Sequence, residues 1–304
     1  MTDRFFIFGA GYSCKAFARA NIGSAKIVGT TRSQAKFGEL ERAGIEPLLF
    51  DGTTASIEIL ENLAGTTHLI VSIAPGDDGD PVLNTLRETI MEKMPALSWI
   101  GYLSTVGVYG DHQGRWVDET SACKPVSRRS VARLEAERAW QTLGEEVGVP
   151  LAILRLSGIY GPGRNAFVNL TNGTAKRLIK KDQVFNRIHV EDIAGALWLL
   201  AEQKTGGIFN VTDNEPAPPQ DVVAFAAELM GIEPPPEQPF ETAQISPMAR
   251  SFYGENKRVA NAKLRATGYQ LRYPDYQASH RAMWNAGTWR GESEADARST
   301  IRKG

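Results

Sequence analysis

The stretch Arg4-Phe5-Phe6-Ile7-Phe8-Gly9-Ala10-Gly11-Tyr12-Ser13-Cys14, running on into Lys15-Ala16-Phe17-Ala18-Arg19-Ala20, constrains the fold of this chain more than any other. Its unbroken apolar run predicts a strand buried on both faces. The Gly9-x-Gly11 pair predicts a tight turn, and the Ala/Phe pattern beyond it a helix. In such a unit the first glycine lets the chain reverse, the second lets backbone approach a phosphate closely, and the amides opening the helix face the anion. Gly9, Ala10, Gly11, Tyr12, Ser13 and Cys14 are therefore candidate contacts to the pyrophosphate of a dinucleotide. Cys14 stands where a third glycine would allow close helix–strand packing, so the helix is expected slightly further from the strand.

Lys26 to Ser33 reads as a second strand with a polar tip, and Thr31, Arg32 and Ser33 would lie beside an adenosine ribose. No carboxylate stands there to accept from both ribose hydroxyls. The tip suits a 2′-phosphate instead, which favours NADP(H) over NAD(H). A third strand, Ile45 to Phe50, leads to Asp51-Gly52, where Asp51 either accepts from an adenine amino group or forms a turn. The run His68 to Gly76 gives a fourth strand whose end brings Ile73, Ala74 and Pro75 against the cofactor. Helical patterns at Gln34–Ala43, Thr54–Leu63 and Pro81–Leu97 separate these strands from a fifth at Trp99–Leu103. The alternation predicts an α/β fold, a doubly wound parallel sheet of Rossmann type, with ligand at the carboxyl ends of its strands.

The balance of 34 Lys and Arg against 35 Asp and Glu gives a net charge of −1, so no global field draws the chain to nucleic acid or to an anionic membrane. Cys14 and Cys123 are the only cysteines, too few for a disulfide framework or a structural zinc cluster. No His/Cys/Asp spacing suggests metal ligation, and no apolar run reaches the roughly 18 residues that span a bilayer. The chain starts directly in a strand, so a cytoplasmic location is expected.

Beyond the fifth strand the motifs become specific: Ser104-Thr105-Val106-Gly107-Val108-Tyr109-Gly110, Val117-Asp118-Glu119 with Pro125, Leu154-Arg155-Leu156-Ser157-Gly158-Ile159-Tyr160-Gly161-Pro162-Gly163-Arg164-Asn165, Arg187-Ile188-His189-Val190-Glu191-Asp192, and Phe209-Asn210-Val211-Thr212-Asp213. In this order the set resembles the extended short-chain dehydrogenase/reductase family, particularly its sugar-nucleotide epimerase/dehydratase-like members. The resemblance implies a dinucleotide-binding domain at 1–160 and 187–212 and a smaller C-terminal substrate or lid domain at 161–186 and 213–284; residues 285–304, small, polar and charged, are expected to be a mobile tail. It implies that Ser104 and Thr105 lie near the nicotinamide and that Tyr160, Arg164, His189 and Arg258 are on the substrate side. Arg164 could clamp a phosphate or carboxylate, whereas His189, just before a helix, fits a capping or packing role better than that of a base. Lys176, Arg177, Lys180 and Lys181 either bind a pyrophosphate-bearing substrate or form the exposed face of a short strand.

The chain departs from that family at its catalytic helix. The family carries a Tyr-x-x-x-Lys pair on one helix face, the lysine lowering the tyrosine pKa and the phenol moving a proton. By spacing from Ser104, Arg129 stands at the tyrosine position and Arg133 at the lysine position. A guanidinium stays protonated near neutral pH, so Arg129 cannot act as a general acid/base, although Arg133 could still hold a ribose or phosphate. Tyr109 is the substitute proton donor by proximity alone, and a packed loop tyrosine is its other reading. Arg128, Arg129 and Arg133 either receive an anionic ligand or form a solvated ion-pair face with Glu135 and Glu137. Two functions follow from these readings. One is an NADP(H)-dependent oxidoreductase or epimerase-like enzyme acting on a hydroxyl or carbonyl of a small, phosphate-bearing substrate. The other is a dinucleotide sensor without catalysis. A homodimer is compatible with both.

Overall fold

The structure, a computed structural model, describes residues 3–291. The chain opens with β1 (Arg4–Phe8) and α1 (Tyr12–Ala20), then β2 (Lys26–Thr31), α2 (Phe37–Arg42), β3 (Glu46–Leu49), α3 (Ile57–Ala64), β4 (His68–Val71), α4 (Pro81–Glu92) and β5 (Trp99–Thr105). After the short β6 (Trp116–Val117) come α5 (Arg128–Val147), β7 (Leu151–Leu156), β8 (Gly158–Tyr160), α6 (Ala166–Thr171), β9 (Arg177–Ile179), β10 (Arg187–His189), α7 (Val190–Glu202) and β11 (Gly207–Val211). The C-terminal part carries α8 (Pro219–Met230), β12 (Glu237–Pro239), α9 (Pro247–Phe252), β13 (Arg258–Val259), α10 (Ala262–Ala266) and α11 (Tyr276–Asn285).

Seven strands form one sheet in the spatial order β11-β7-β5-β4-β1-β2-β3, and every pair in it is parallel. The chain winds outward from β1 to β3, then crosses to the other side of β1 and continues from β4 to β11. This is the expected doubly wound α/β sheet, and its direction of winding reverses between β1 and β4. At such a reversal the connections leave in opposite directions and open a crevice at the carboxyl ends of the strands.

The period of two along β1 explains why both faces are covered. Phe5 and Ile7 pack with Phe17 of α1 and with Leu197 and Leu200 of α7, whereas Phe6 and Phe8 pack on the other face with Tyr102 and with Trp140 of α5. Cys14 is fully buried in the first of these layers, where its thiol bonds to Ser72 and burial pushes it up to about 12. It serves as a small packing group and not as a nucleophile.

Parts of segments 161–186 and 213–284 build a separate apolar cluster that includes Phe167, Val222, Tyr276 and Met283, whereas Leu264, Tyr269 and Leu271 pack into the main core against the sheet. The segments also form the parallel strand pair β9 with β12, and their β13 pairs in parallel with β6 of the N-terminal part. Several boundaries differ from the sequence pattern. The region expected as one helix from Gln34 opens as a 3-10 turn, Gln34–Lys36, before α2. Helix α4 ends at Glu92, ahead of Pro95, because the residue before a proline is disfavoured in helical conformation. β4 ends at Val71, so Ser72 to Pro75 continue as a non-strand segment beyond the sheet.

Part of the segment expected to be mobile is held in the fold. Residues 285–291 are ordered through Trp289, which is buried against Phe167 and stacks on Trp284 at 6.1 Å. The Trp289 carbonyl accepts from Asn165 Nδ2 at 2.7 Å and from Gly163 N at 2.9 Å. The rest of the expected tail, 292–304, lies outside the described residues. Replacing Trp289 with Ala should remove about 3–5 kcal/mol of stability, read as a lower urea midpoint. A variant unchanged in stability would show that the 285–291 segment does not pin the C-terminal cluster.

Candidate functional site

The turn at the head of α1 is built around Gly9, whose φ of +86° is a left-handed conformation and whose Cβ position lies 2.9 Å from Ile73 Cγ1. Any side chain there would be strained and would strike the segment after β4. Its amide donates to Thr30 Oγ1 at 3.0 Å, and Ala10 N donates to the Thr30 carbonyl at 2.8 Å. Gly11 is the N-cap of α1 and supplies no side-chain cap, and no acidic residue lies in the first turn. Among the described residues, the amides of Tyr12, Ser13 and Cys14 have no acceptor. Three unsatisfied donors at the positive end of a helix form a cradle for an anion. Tyr12 closes one side: its hydroxyl donates to the Pro162 carbonyl at 2.9 Å, and burial, opposed by Arg164, pushes it up to about 12.

At the tip of β2, Thr31 is half-buried, whereas Arg32 and Ser33 are exposed. The Arg32 guanidinium has no partner among the described residues. Asp51 Oδ1 accepts from Thr53 N at 2.8 Å and from Thr53 Oγ1 at 2.7 Å, which makes it the turn-forming residue ahead of α3, with Gly52 beside it. Ile73 packs on Gly9, and Ala74 and Pro75 line the cleft.

The carboxyl ends of β5 and β7 meet the first turns of α5 in an arrangement that spacing alone did not show. Glu137 is buried at 1% exposure; its carboxylate accepts from Ser104 Oγ and pairs with Arg155, with Nη2 at 2.7 Å and Nε at 3.2 Å. It is therefore no part of a solvated ion-pair face with the arginines of α5. Ser104 lines the cleft with its hydroxyl committed to this bond, and Thr105, one residue on, lines it too and accepts from Gly107 N at 3.1 Å. Ser127 caps α5: its Oγ accepts from Ser130 N at 3.1 Å and donates to Ser130 Oγ at 2.9 Å. Gly107 passes under these hydroxyls so closely that a Cβ would lie 2.9 Å from Ser130 Oγ and 3.3 Å from Thr105 Oγ1. Thr105 and Ser130 are thus neighbours. The sequence signal for the second was the Ser127-x-x-Ser130 spacing of a helix cap.

Arg133 donates through Nη1 to the Leu103 carbonyl at 2.9 Å and to the Tyr102 hydroxyl at 3.2 Å, so its charge is committed to the end of β5. Arg128 pairs with Asp77 on the surface. Arg129 is exposed at the cleft and has no partner among the described residues. Tyr109 departs from the role of substitute donor. It is fully buried, with its ring under the Arg155 guanidinium at 4.8 Å and its hydroxyl donating to Asn210 Oδ1 at 2.7 Å. Burial pushes it up to about 12. The 3-10 turn Val106–Tyr109 carries it away from the cleft that Thr105 faces.

On the far side, Tyr160 donates to Ser279 Oγ at 2.6 Å, and Ser279 in turn donates to the Tyr276 carbonyl, so this phenol is also committed. His189 is a helix cap, as its position suggested: Nδ1 accepts from Glu191 N at 3.3 Å, and burial lowers it to about 3. Arg164 is exposed at the cleft beside Tyr12. Arg258 differs from its expected position: its guanidinium donates to the Gly114 carbonyl beside β6, and its neighbour Lys257 lines the cleft instead, bonded to the Gly110 carbonyl at 2.8 Å and to Glu255 at 2.6 Å. Of the basic run, Arg177 pairs with Glu237 at 2.6 Å, and Lys176 and Lys180 donate to the carbonyls of Gln244 and Tyr253. These three hold β9 and its surroundings in place.

The cleft that joins these features has a volume of about 1510 Å³ and runs from Ser13 and Pro75 past Thr105 and Arg129 to Arg187, Phe252 and His280. A glycine turn with unsatisfied amides, set where a parallel sheet reverses its winding, defines a dinucleotide-binding α/β protein. Comparison with known proteins narrows this class. The model of the NAD dependent epimerase/dehydratase family matches residues 58–212, and the chain belongs to that family. It is 34% identical to protein YeeZ of Escherichia coli K12 over 226 residues, covering 71% of this chain and 75% of that protein. It superposes with a TM-score of 0.86 on a functionally unknown conserved protein of Silicibacter pomeroyi, 43% identical, covering 94% of this chain and 99% of the other. The human epimerase family protein SDR39U1, solved with NADPH, shares the fold at a TM-score of 0.70 and 16% identity, over 93% of this chain and 99% of its own.

Two outcomes follow from this geometry. Glu137→Ala leaves Arg155 buried and unpaired and should cost about 3–5 kcal/mol in urea unfolding; a loss under about 1 kcal/mol would mean the pair does not hold α5. Tyr109→Phe should leave dinucleotide affinity within about twofold of wild type, because the lost hydroxyl faces Asn210 and Arg155 inside the protein and not the cleft. A large loss of affinity would place Tyr109 in the cofactor site.

Proposed function

We propose that this protein is an NADP(H)-dependent oxidoreductase acting on a hydroxyl or carbonyl of a small molecule without a tyrosine–lysine pair. The observation that carries the reading is the head of α1, where the amides of Tyr12, Ser13 and Cys14 are unsatisfied and Gly11 offers no cap of its own. A pyrophosphate completes this helix start. Arg32, unpartnered at the tip of β2 with Ser33 beside it, suits the extra phosphate of NADP(H), and no carboxylate replaces it there. The bound dinucleotide would supply hydride transfer.

The chain's own residues hold and orient. Arg133 is fixed by the Leu103 carbonyl and serves as a permanent positive charge at the end of β5. Thr105 presents a hydroxyl whose own proton is uncommitted, since its oxygen accepts from Gly107 N. Ile73, Ala74 and Pro75 are small or apolar enough to let a flat ring lie close to the sheet.

Fluorescence titration should give an NADPH Kd at least about tenfold below that for NADH, and Arg32→Ala should remove most of the difference, as expected for one charge-assisted contact. NADH binding as tightly as NADPH overturns the 2′-phosphate assignment. Tight NADPH binding with no cofactor oxidation across a panel of carbonyl compounds overturns the oxidoreductase assignment while keeping the dinucleotide site.

A further inference from the structure

The wall of the cleft facing the head of α5 is made of donors. Of the six cations that line the cleft among the described residues, four are committed elsewhere: Arg128 to Asp77, Arg133 to Leu103 and Tyr102, Arg187 to the carbonyls of Phe185 and Ala217, and Lys257 to Glu255 and Gly110. Arg164 lies against Tyr12, next to the turn that heads α1. Arg129 alone stands at the head of α5 without a partner among the described residues. Among the described residues, Glu255 is the only carboxylate lining the cleft, and it is paired with Lys257.

Two hydroxyls, those of Thr105 and Ser130, line the same cleft, and neither donates to a partner among the described residues. Thr105 Oγ1 accepts from Gly107 N and donates to nothing among the described residues. Ser130, 8% exposed, accepts from Ser127 Oγ and likewise keeps its own proton. Ser157 lines the same cleft one residue beyond the rung that pairs Thr105 with Leu156, but its Oγ is fully buried, without a partner among the described residues, and is no donor to the cleft.

We propose that this wall binds an oxyanion of the substrate, a carboxylate or phosphate, held by Arg129 and Ser130 next to Thr105. The proposal rests on the dinucleotide reading for the identity of the neighbouring ligand. A guanidinium with a fork of N–H donors, together with hydroxyl donors and no competing acceptor, selects an oxygen anion over a neutral sugar face. The substrate therefore carries its charge close to the reacting carbon, at the place where a phenol would otherwise stand, and not only at a remote end.

The test is calorimetric titration of malonate and of inorganic phosphate, in low salt, into the protein with and without saturating NADP⁺. Saturable binding of at least one probe is expected, about tenfold or more weaker in Arg129→Gln and several-fold weaker in Ser130→Ala, with NADPH affinity unchanged in both. The tighter probe identifies the substrate's anion as carboxylate or phosphate. Arg129 is exposed, so its variant should keep the wild-type Tm, which circular dichroism verifies. No saturable anion binding, or equal binding in Arg129→Gln, overturns the proposal. A parallel loss of NADPH affinity also overturns it, by assigning Arg129 to the dinucleotide. Should NADP⁺ fail to bind at all, the cofactor-free titration still decides on Arg129, and only the proposed function falls.

Discussion

The cleft takes its shape from one buried carboxylate. Glu137 reaches from α5 to Ser104 at the end of β5 and to Arg155 in β7, crossing from a helix to two neighbouring strands. A charge that deep is tolerated only while it is paired, so the rotation of α5 about its own axis is fixed wherever this contact holds. Residues four, seven and eight positions earlier share the face of Glu137, because a helix repeats every 3.6 residues. Those residues are Arg133, Ser130 and Arg129. The contact that pins the helix therefore also decides which side chains reach the cleft.

The fold was legible because its signals are local. An apolar run followed by Gly9-x-Gly11 specifies a strand and a turn over a few residues, and the strand–helix alternation repeats that information until only a parallel sheet accommodates it. The site was less legible because its partners are distant in sequence. Glu137 meets Ser104 and Arg155 across separations of 33 and 18 residues, and Tyr109 meets Asn210 across 101. Tyr109 lies close to Ser104 along the chain, yet a 3-10 turn ending at Gly110 carries it under Arg155. Chain proximity indicated the right loop and the wrong side of it. Composition misled in the same way at the C-terminus, where polar neighbours hid the single buried ring of Trp289.

Arg258 and Lys257 illustrate a strand-level version of this problem. The pair lies where a basic side chain was expected at the cleft, but β13 pairs with β6 in a register that opposes Arg258 to Trp116. Successive residues of a strand point to opposite sides, so a shift of one position exchanges the residue that faces the cleft. Only the register of a two-residue ladder distinguishes the two, and a ladder that short leaves no periodic pattern in the sequence to read.

The head of α5 differs in kind from a proton-transfer site. A phenol beside a lysine works because its proton moves near neutral pH, whereas a guanidinium keeps its charge through any physiological range. With Arg129 unpaired and Tyr109 and Tyr160 both donating within the protein, the groups facing the cleft here are fixed donors. In a chain whose total charge is −1, the positive character of this wall is local and does not reflect overall composition. It persists because the nearest acids are turned elsewhere: Asp77 to Arg128, Glu137 to Arg155, Glu255 to Lys257. Each of these pairs neutralises a charge that would otherwise oppose an incoming anion. The arrangement leaves positive charge uncompensated at Arg129, beside hydroxyls that have protons to give and no acceptor to receive them.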